Sequence, residues 1–328
     1  MQYRPLGKTG LSISEIGVGC GGTSGLMGRG TPEQRREVVA RALELGINYF
    51  DTAPAYDGTR SETGLGETLK ELGARAIIGT KVRLEPSQLS DIPAAVATSV
   101  EGSLRRLQVE TIDLIQVHNR PALELRRWDH DALGIQELLG PRGVVESMER
   151  LREQGKVRHI GFTAIGEVPA FDALLESDRL ETVQSYFNLL NPSAGMHVPV
   201  GFRGADYGTV IDRAGARGMG VLVIRALAAG ALTSLSSLHP LAGGWSQRAA
   251  HEVEADRVRA HALSWLLEGT NDSITQVALR FALTKPETST VLVGFSDVDQ
   301  VDEACAASGK PPIPSEHLEK LSGFYFAD

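Results

Sequence analysis

Residues 47–81 read INYFDTAPAYDGTRSETGLGETLKELGARAIIGTK, two short apolar runs bracketing an amphipathic stretch. The runs, Ile47-Asn48-Tyr49-Phe50-Asp51 and Ala76-Ile77-Ile78-Gly79-Thr80-Lys81, have the length of buried strands, and Ser61–Leu72 between them has helical spacing. A third run, Ile112-Asp113-Leu114-Ile115-Gln116-Val117-His118, repeats the pattern. Strands alternating with helices imply a parallel sheet. The three runs end in a carboxylate, an ammonium and an imidazole.

The alternation extends in both directions. Upstream, residues 2–14 predict a hairpin turning at Gly7-Lys8-Thr9-Gly10, followed by a strand over Ile16–Cys20. The first helix opens at Thr31, a cap with Pro32 behind it and Gln34 completing a capping box. Val38, Val39, Ala42, Leu43 and Leu45 form its apolar stripe, and Gly46 stops it. Downstream, helices are expected over Asp91–Leu107, Val144–Gln154, Pro169–Glu176, Gly208–Arg217, Ser273–Leu283 and Asp297–Ala307. Strands are expected over Val157–Thr163, Thr182–Tyr186, Gly220–Ile224 and Thr290–Val293. Eight such strands are the number that closes, so the fold class is α/β, a single (β/α)8 TIM barrel domain over residues 1–328.

Three connections, 119–142, 189–206 and 231–272, are too long for simple crossovers. All follow strands, which puts them on the active face, and the third carries a helix near Arg248–Leu267. Trp128, His130, His197, Phe202 and Trp245 lie in these loops, and Trp128 is a candidate substrate contact. The tail, with Phe324, Tyr325 and Phe326, either packs on the barrel or reaches towards the pocket.

The 328 residues are 42% hydrophobic with a formal charge of -8, a core large enough to need no disulfide staples. Cys20 and Cys305 form no zinc or redox pattern, which suits a reducing, cytoplasmic setting. The N-terminus lacks an apolar signal core, and no run approaches the ~18 apolar residues of a membrane span. Mild acidity without a basic block argues against nucleic acid. A small-molecule enzyme, with homo-oligomerisation left open, fits best.

Taken singly, Asp51 can cap a turn, Lys81 can be a solvated strand end, His118 a core histidine and Tyr56 a loop aromatic. Together they describe a proton-transfer site. A buried ammonium needs a partner, which Asp51 on the neighbouring strand supplies. A free tyrosine titrates near ~10, and the Lys81 charge is expected to favour the Tyr56 phenolate. His118 offers a second hydrogen bond to a substrate oxygen. No metal-ligand spacing accompanies them.

With its aspartate and tyrosine, Gly46-Ile47-Asn48-Tyr49-Phe50-Asp51-Thr52-Ala53-Pro54-Ala55-Tyr56 resembles the signature of the aldo-keto reductases. Ser61-Glu62 and Leu65-Gly66 continue it, Gly79-Thr80-Lys81 is similar to the family's lysine segment, and Leu114-Ile115-Gln116-Val117-His118 to its histidine segment. The resemblance covers nearly the full length. It implies hydride transfer between NAD or NADP and a carbonyl or alcohol, with Tyr56 as proton donor or acceptor. Phe50–Leu72 and Gly161-Phe162-Thr163 look most like the branch that oxidises galactose- or fucose-type aldoses at the anomeric carbon.

The same resemblance suggests cofactor contacts. Gly17–Gly22 spells GxGxxG, but no helix opens directly on it, so the match is read as chance in a first barrel loop. In the family that loop lies beside the nicotinamide, which nominates Gly19 and Cys20 alongside Asp51. Gln184 is expected at the carboxamide and Phe187, three residues on, stacked on the ring; Thr163 keeps a hydroxyl contact that Ala164 cannot supplement. Arg225, Leu227 and Gly230 resemble the pyrophosphate loop. Gly294, Ser296 and Gln300 fall at the adenosine; Gly294 and Gln300 stand where many family members place a lysine and an arginine around a 2′-phosphate, with Asp297 and Asp299 close by, so NAD is favoured. Two other readings remain: a lyase forming a Schiff base at Lys81, and a cofactor-binding redox sensor without turnover.

Overall fold

A computed structural model describes residues 1–21, 24–126, 128–234 and 250–326. Strands β1 (Tyr3–Pro5) and β2 (Ser12–Ser14) pair antiparallel as the expected hairpin. The barrel strands are β3 (Ile16–Gly19), β4 (Tyr49–Asp51), β5 (Ile77–Val82) and β6 (Ile112–Val117). After a short parallel pair, β7 (Arg120–Ala122) and β8 (Ala132–Gly134), they continue as β9 (Val157–Thr163), β10 (Thr182–Tyr186), β11 (Gly220–Ile224) and β12 (Thr288–Val293). All eight barrel strands pair in parallel with their neighbours in chain order, and β12 returns to β3 to close the cylinder.

The helices are α1 (Leu26–Arg29), α2 (Pro32–Glu44), α3 (Arg60–Glu71), α4 (Ile92–Leu107), α5 (Ile135–Leu139) and α6 (Val144–Glu153). Then come α7 (Val168–Glu176), α8 (Val210–Gly215), α9 (Ala250–His261), α10 (Ile274–Thr284), α11 (Val298–Cys305) and α12 (Ser315–Phe326). Thr31 and Gln34 form the expected capping box, and α10 starts the same way at Ser273 and Gln276. Helix α8 is shorter than its expected span, because Thr209 and Gly208 sit in the left-handed region and delay its start. No helix opens on the Gly17–Gly19 turn, since these residues belong to β3 and α1 starts only at Leu26. Arg248 and Trp245 lie outside the described residues, as does Gly22.

Leu6 and Ile13 of the hairpin cluster with Tyr49, Leu114, Leu222 and Leu292 from the barrel strands. Burying side chains of this size contributes roughly 1.5–3 kcal/mol each, and the hairpin thereby stoppers the N-terminal end of the cylinder. The polar chemistry is left to the opposite mouth. A second, larger apolar layer fills the space between strands and helices. Tyr325 of α12 is buried and donates to Leu189 O at 3.0 Å, so this part of the tail packs on the barrel. Among the described residues no helix is long and apolar enough to cross a membrane.

Candidate active site

Asp51 ends β4, Lys81 is the penultimate residue of β5, and His118 follows β6, its N–H held by Val82 O at 2.8 Å. The register sets Asp51 beside Gly79, Lys81 beside Gln116 and Thr163 beside Gln184. Gly79 must lack a side chain, because a Cβ there would come within 2.1 Å of Tyr49 Oη and 3.3 Å of Asp51 Oδ2. The space it leaves lets donors converge on one carboxylate. Lys81, fully buried, forms an ion pair with Asp51 Oδ1 and donates to Thr52 O at 2.8 Å. Gln116 Nε2 and Gln184 Nε2 each donate to Asp51 Oδ2 at 3.1 Å, with Tyr49 Oη at 3.5 Å.

Lys81 also hydrogen-bonds the Tyr56 side chain, with Nζ 4.9 Å from the ring centre. Tyr56 meets His118 edge to face, ring centres 5.6 Å apart. The loop after Tyr56 is sharply turned, with Asp57, Gly58 and Thr59 all at positive φ. Two of these are not glycine, a local cost of the kind that gathers at functional sites. Ser61 anchors the loop, its Oγ 2.8 Å from Cys20 O and 2.9 Å from Thr52 Oγ1. Behind it Glu62, also buried, accepts from Thr80 at 2.6 Å and from Arg106 Nε at 2.7 Å, tying α3 to β5 and α4.

Burial and charge set the protonation states. Burial works against a charge on Lys81, but Asp51 and Tyr56 outweigh it, and the ammonium is held more firmly than in water. Burial raises the Tyr56 phenol; Lys81 opposes the shift and Asp51 adds to it. The net direction is upward, opposite to the expectation from Lys81 alone, because desolvating a phenolate costs more than one paired ammonium returns. His118 is driven well below the ordinary imidazole range, by burial first and then by Lys81 and Arg83. Its Nδ1 is buried without a partner.

The His118 shift carries a stability consequence. The unfolded chain takes up this proton near the ordinary value of about 6.5, while the folded protein resists it. Stability should therefore decline as pH falls below that value and keep declining down to the lower folded value. His118→Gln should flatten part of this decline in thermal unfolding followed from about pH 7.5 to about pH 5. An unchanged slope would argue against a neutral buried imidazole.

Asp51, Tyr56 and His118 line a cavity of about 320 Å³. Gly19, Thr163, Gln184, Arg225, Leu227, Gly230, Gly294, Ser296 and Gln300 line the same cavity. The Thr163 hydroxyl is buried and unpartnered. Ala228, Ala229 and Gly230 are successive left-handed residues, the kind of backbone that can cup an anion. Gln184 commits one N–H to Asp51.

Three candidates lie elsewhere. Phe187 is buried and stacks on Phe281 of α10, ring centres 4.9 Å apart. Side chains alternate along a strand, so Gln184 and Tyr186 reach the mouth while Phe187 turns away, and Tyr186 is the aromatic that lines the cavity. Cys20 is buried between the lining residues Gly19 and Gly21, and burial pushes its thiol up. Trp128 is 75% exposed against Arg126 and lines neither cavity of the mouth.

The structure adds residues that the sequence reading missed. Gln116 had a signal, a fully buried amide among the apolar residues of β6. Arg257 of α9 and Glu303 of α11 had none, yet both line the cavity. Among the described residues no carboxylate lies within ion-pair distance of Arg257. A second cavity, about 490 Å³, shares His118, Ile165, Tyr186 and Arg225 with the first. Among the described residues no cluster of His, Cys, Asp and Glu could hold a metal ion.

The sequence profile of the Aldo/keto reductase family matches residues 15–325. L-Galactose dehydrogenase of Arabidopsis thaliana is 28% identical over 318 residues, covering 94% of this chain and 88% of that protein. Aldo-keto reductase YhdN of Bacillus subtilis (strain 168) is 35% identical over 198 residues, 58% of this chain and 54% of that protein. The holo form of aldo-keto reductase AKR11C1 from Bacillus halodurans superposes with a TM-score of 0.73 at 24% identity, covering 99% of this chain and 96% of that one, a likeness of fold. A chain that closes this barrel in this strand order, with the family's sequence pattern running through nearly all of it, belongs to the aldo/keto reductase family of oxidoreductases.

Proposed function

We propose that the protein is an NAD(P)-dependent oxidoreductase interconverting a small carbonyl compound and its alcohol, with Tyr56 exchanging the proton. The observation that carries this reading is the buried chain Asp51–Lys81–Tyr56, which ends on a phenol lining the cavity beside a neutral imidazole. Residues along that cavity suit a dinucleotide: the orphaned Thr163 hydroxyl, the left-handed run at 228–230 and the Arg257 guanidinium. When bound, the nicotinamide supplies or accepts the hydride. Tyr56 holds the proton at Oη and gives it to the substrate oxygen in reduction. Lys81 stabilises the phenolate left behind, and Asp51 with Gln116 and Gln184 fixes Lys81. His118 donates to the same oxygen and orients it.

A Schiff base at Lys81 fits poorly, because amine attack needs the neutral form and Asp51 holds the ammonium. L-Galactose dehydrogenase among the relatives supports carbonyl–alcohol interconversion on a polar substrate.

NAD is the preferred cofactor in this reading. Gln300 is spent locally, accepting from Ser296 N at 2.9 Å and donating to Asp297 at 2.9 Å, and Asp297 caps α11. With Glu303 beside them, these carboxylates disfavour a 2′-phosphate, and Arg257 is assigned to the pyrophosphate. Fluorescence titration should find NADH bound more tightly than NADPH, and Arg257→Ala should weaken both by about tenfold, the size of a lost charge-assisted hydrogen bond. A loss confined to NADPH would place Arg257 at a 2′-phosphate and reverse the preference. No binding of either nucleotide would overturn the oxidoreductase reading.

A further inference from the structure

The second cavity is strongly cationic. It opens beyond His118, walled by the 119–142 and 189–206 connections and by α9. Five guanidinium groups line it, from Arg83, Arg120, Arg203, Arg225 and Arg259, against two carboxylates, Asp131 and Asp256. Those carboxylates are already engaged: Asp131 pairs with Arg83, which also lies 3.4 Å from Glu85, and Asp256 lies 3.5 Å from Arg259. Arg120 is paired with Asp129. Among the described residues no carboxylate lies within 4.0 Å of Arg203 or Arg225. Arg225 is half-buried over the Tyr186 ring at 5.6 Å, and Arg83 Nε is buried with no acceptor at all.

A neutral polyol would need acceptors for its hydroxyls, and these are largely spent. Asn188 Oδ1 accepts from Leu190 N and Asn191 N, each at 2.9 Å, and its amide donates to Arg225 O at 2.9 Å. Asn191 Oδ1 accepts from Ser193 Oγ at 2.7 Å. What remains is donors carrying positive charge: half-buried Arg225, where an unpaired cation is costly, and the exposed Arg203, each with a planar guanidinium able to grip an oxyanion in two places.

We propose that this cavity binds the tail of the substrate and selects carbonyl or hydroxy compounds bearing an oxyanion, a carboxylate or a phosphate monoester. The inference rests on the oxidoreductase reading above and gives it a substrate class. His118, Tyr186 and Arg225 line both cavities; the reacting carbon would sit at that seam, with the anion pointing away from Tyr56 towards Arg203 and Arg83.

The test is a comparison of matched aldehydes on the full-length protein. 4-Carboxybenzaldehyde should be reduced with kcat/KM about tenfold or more above its methyl ester. The advantage should shrink as salt rises to about 0.5 M, since screening weakens the attraction. Arg203→Gln should cost the acid about tenfold more than the ester. Glyceraldehyde 3-phosphate against glyceraldehyde forms the second arm, and the pair with the larger ratio identifies which oxyanion the cavity reads. Equal kcat/KM within both pairs, or equal losses in Arg203→Gln, would overturn the proposal. If no aldehyde is turned over, the oxidoreductase reading fails, and calorimetry with benzoate against benzamide still decides the cavity. Benzoate binding that Arg203→Gln abolishes supports it, and absence of benzoate binding overturns it.

Discussion

Tyr56→Phe should lower kcat for carbonyl reduction by about 10²- to 10⁴-fold, the range in which a positioned general acid contributes. Affinity for the nucleotide should stay within about twofold, because the variant removes one oxygen and keeps the ring against His118 and beneath Lys81. KM should change little, since the lost interaction belongs to the transition state. Steady-state kinetics beside a nucleotide titration separates the two effects. The raised Tyr56 titration adds a directional check. A phenol harder to ionise remains a competent donor at neutral pH, whereas alcohol oxidation, which needs the phenolate, should accelerate as pH rises into the alkaline range. A Tyr56→Phe variant retaining more than about a tenth of wild-type kcat would remove the phenol from the chemistry.

Lys81→Met should be the most costly change to the folded state. It strands the Asp51 carboxylate in a site that is 3% exposed, and breaking a buried pair on one side typically costs about 3–5 kcal/mol. The lower end is expected here, because Gln116, Gln184 and Tyr49 still donate to Oδ2. Adding Asp51→Asn removes the stranded charge, and the double variant should regain most of the lost thermal stability. It should regain none of the activity, because the phenolate has lost its counter-charge. Thermal unfolding by circular dichroism with parallel assays tests both halves. A Lys81→Met protein as stable as wild type would mean that water or a rearrangement relieves Asp51. A double variant regaining activity would dissociate Lys81 from Tyr56.

Much of the barrel was legible because its signals are local. Thr31-Pro32 with Gln34 marks a helix start wherever the segment is placed, and β9, β10 and β11 have the bounds their apolar runs imply. Helix α12 was not legible as a helix. Its amphipathicity is modest and its value to the fold comes from remote contacts: Leu321 and Tyr325 buried in the main core, His317 and Lys320 against Trp265, and Tyr325 donating to Leu189 O. Phe187 shows the limit of motif spacing: counting three residues from Gln184 nominates it, but the pleat turns it onto Phe281 and presents Tyr186 instead.

From the sequence alone came the number of strands, their order and the placement of Asp51, Tyr56, Lys81 and His118 at one mouth, because periodicity and position at a strand end are properties of neighbouring residues. Only the tertiary structure decided what those groups experience. Gln116 and Gln184 reach Asp51 across strands that pair far apart in the chain. The Tyr56 proton is set by burial from all sides against a single paired ammonium. Arg203 and Arg257 carry no motif in the sequence, and they acquire a role only where packing brings their charge to a cavity wall. Desolvation and charge depend on everything within a few ångströms, and that neighbourhood is assembled by the fold.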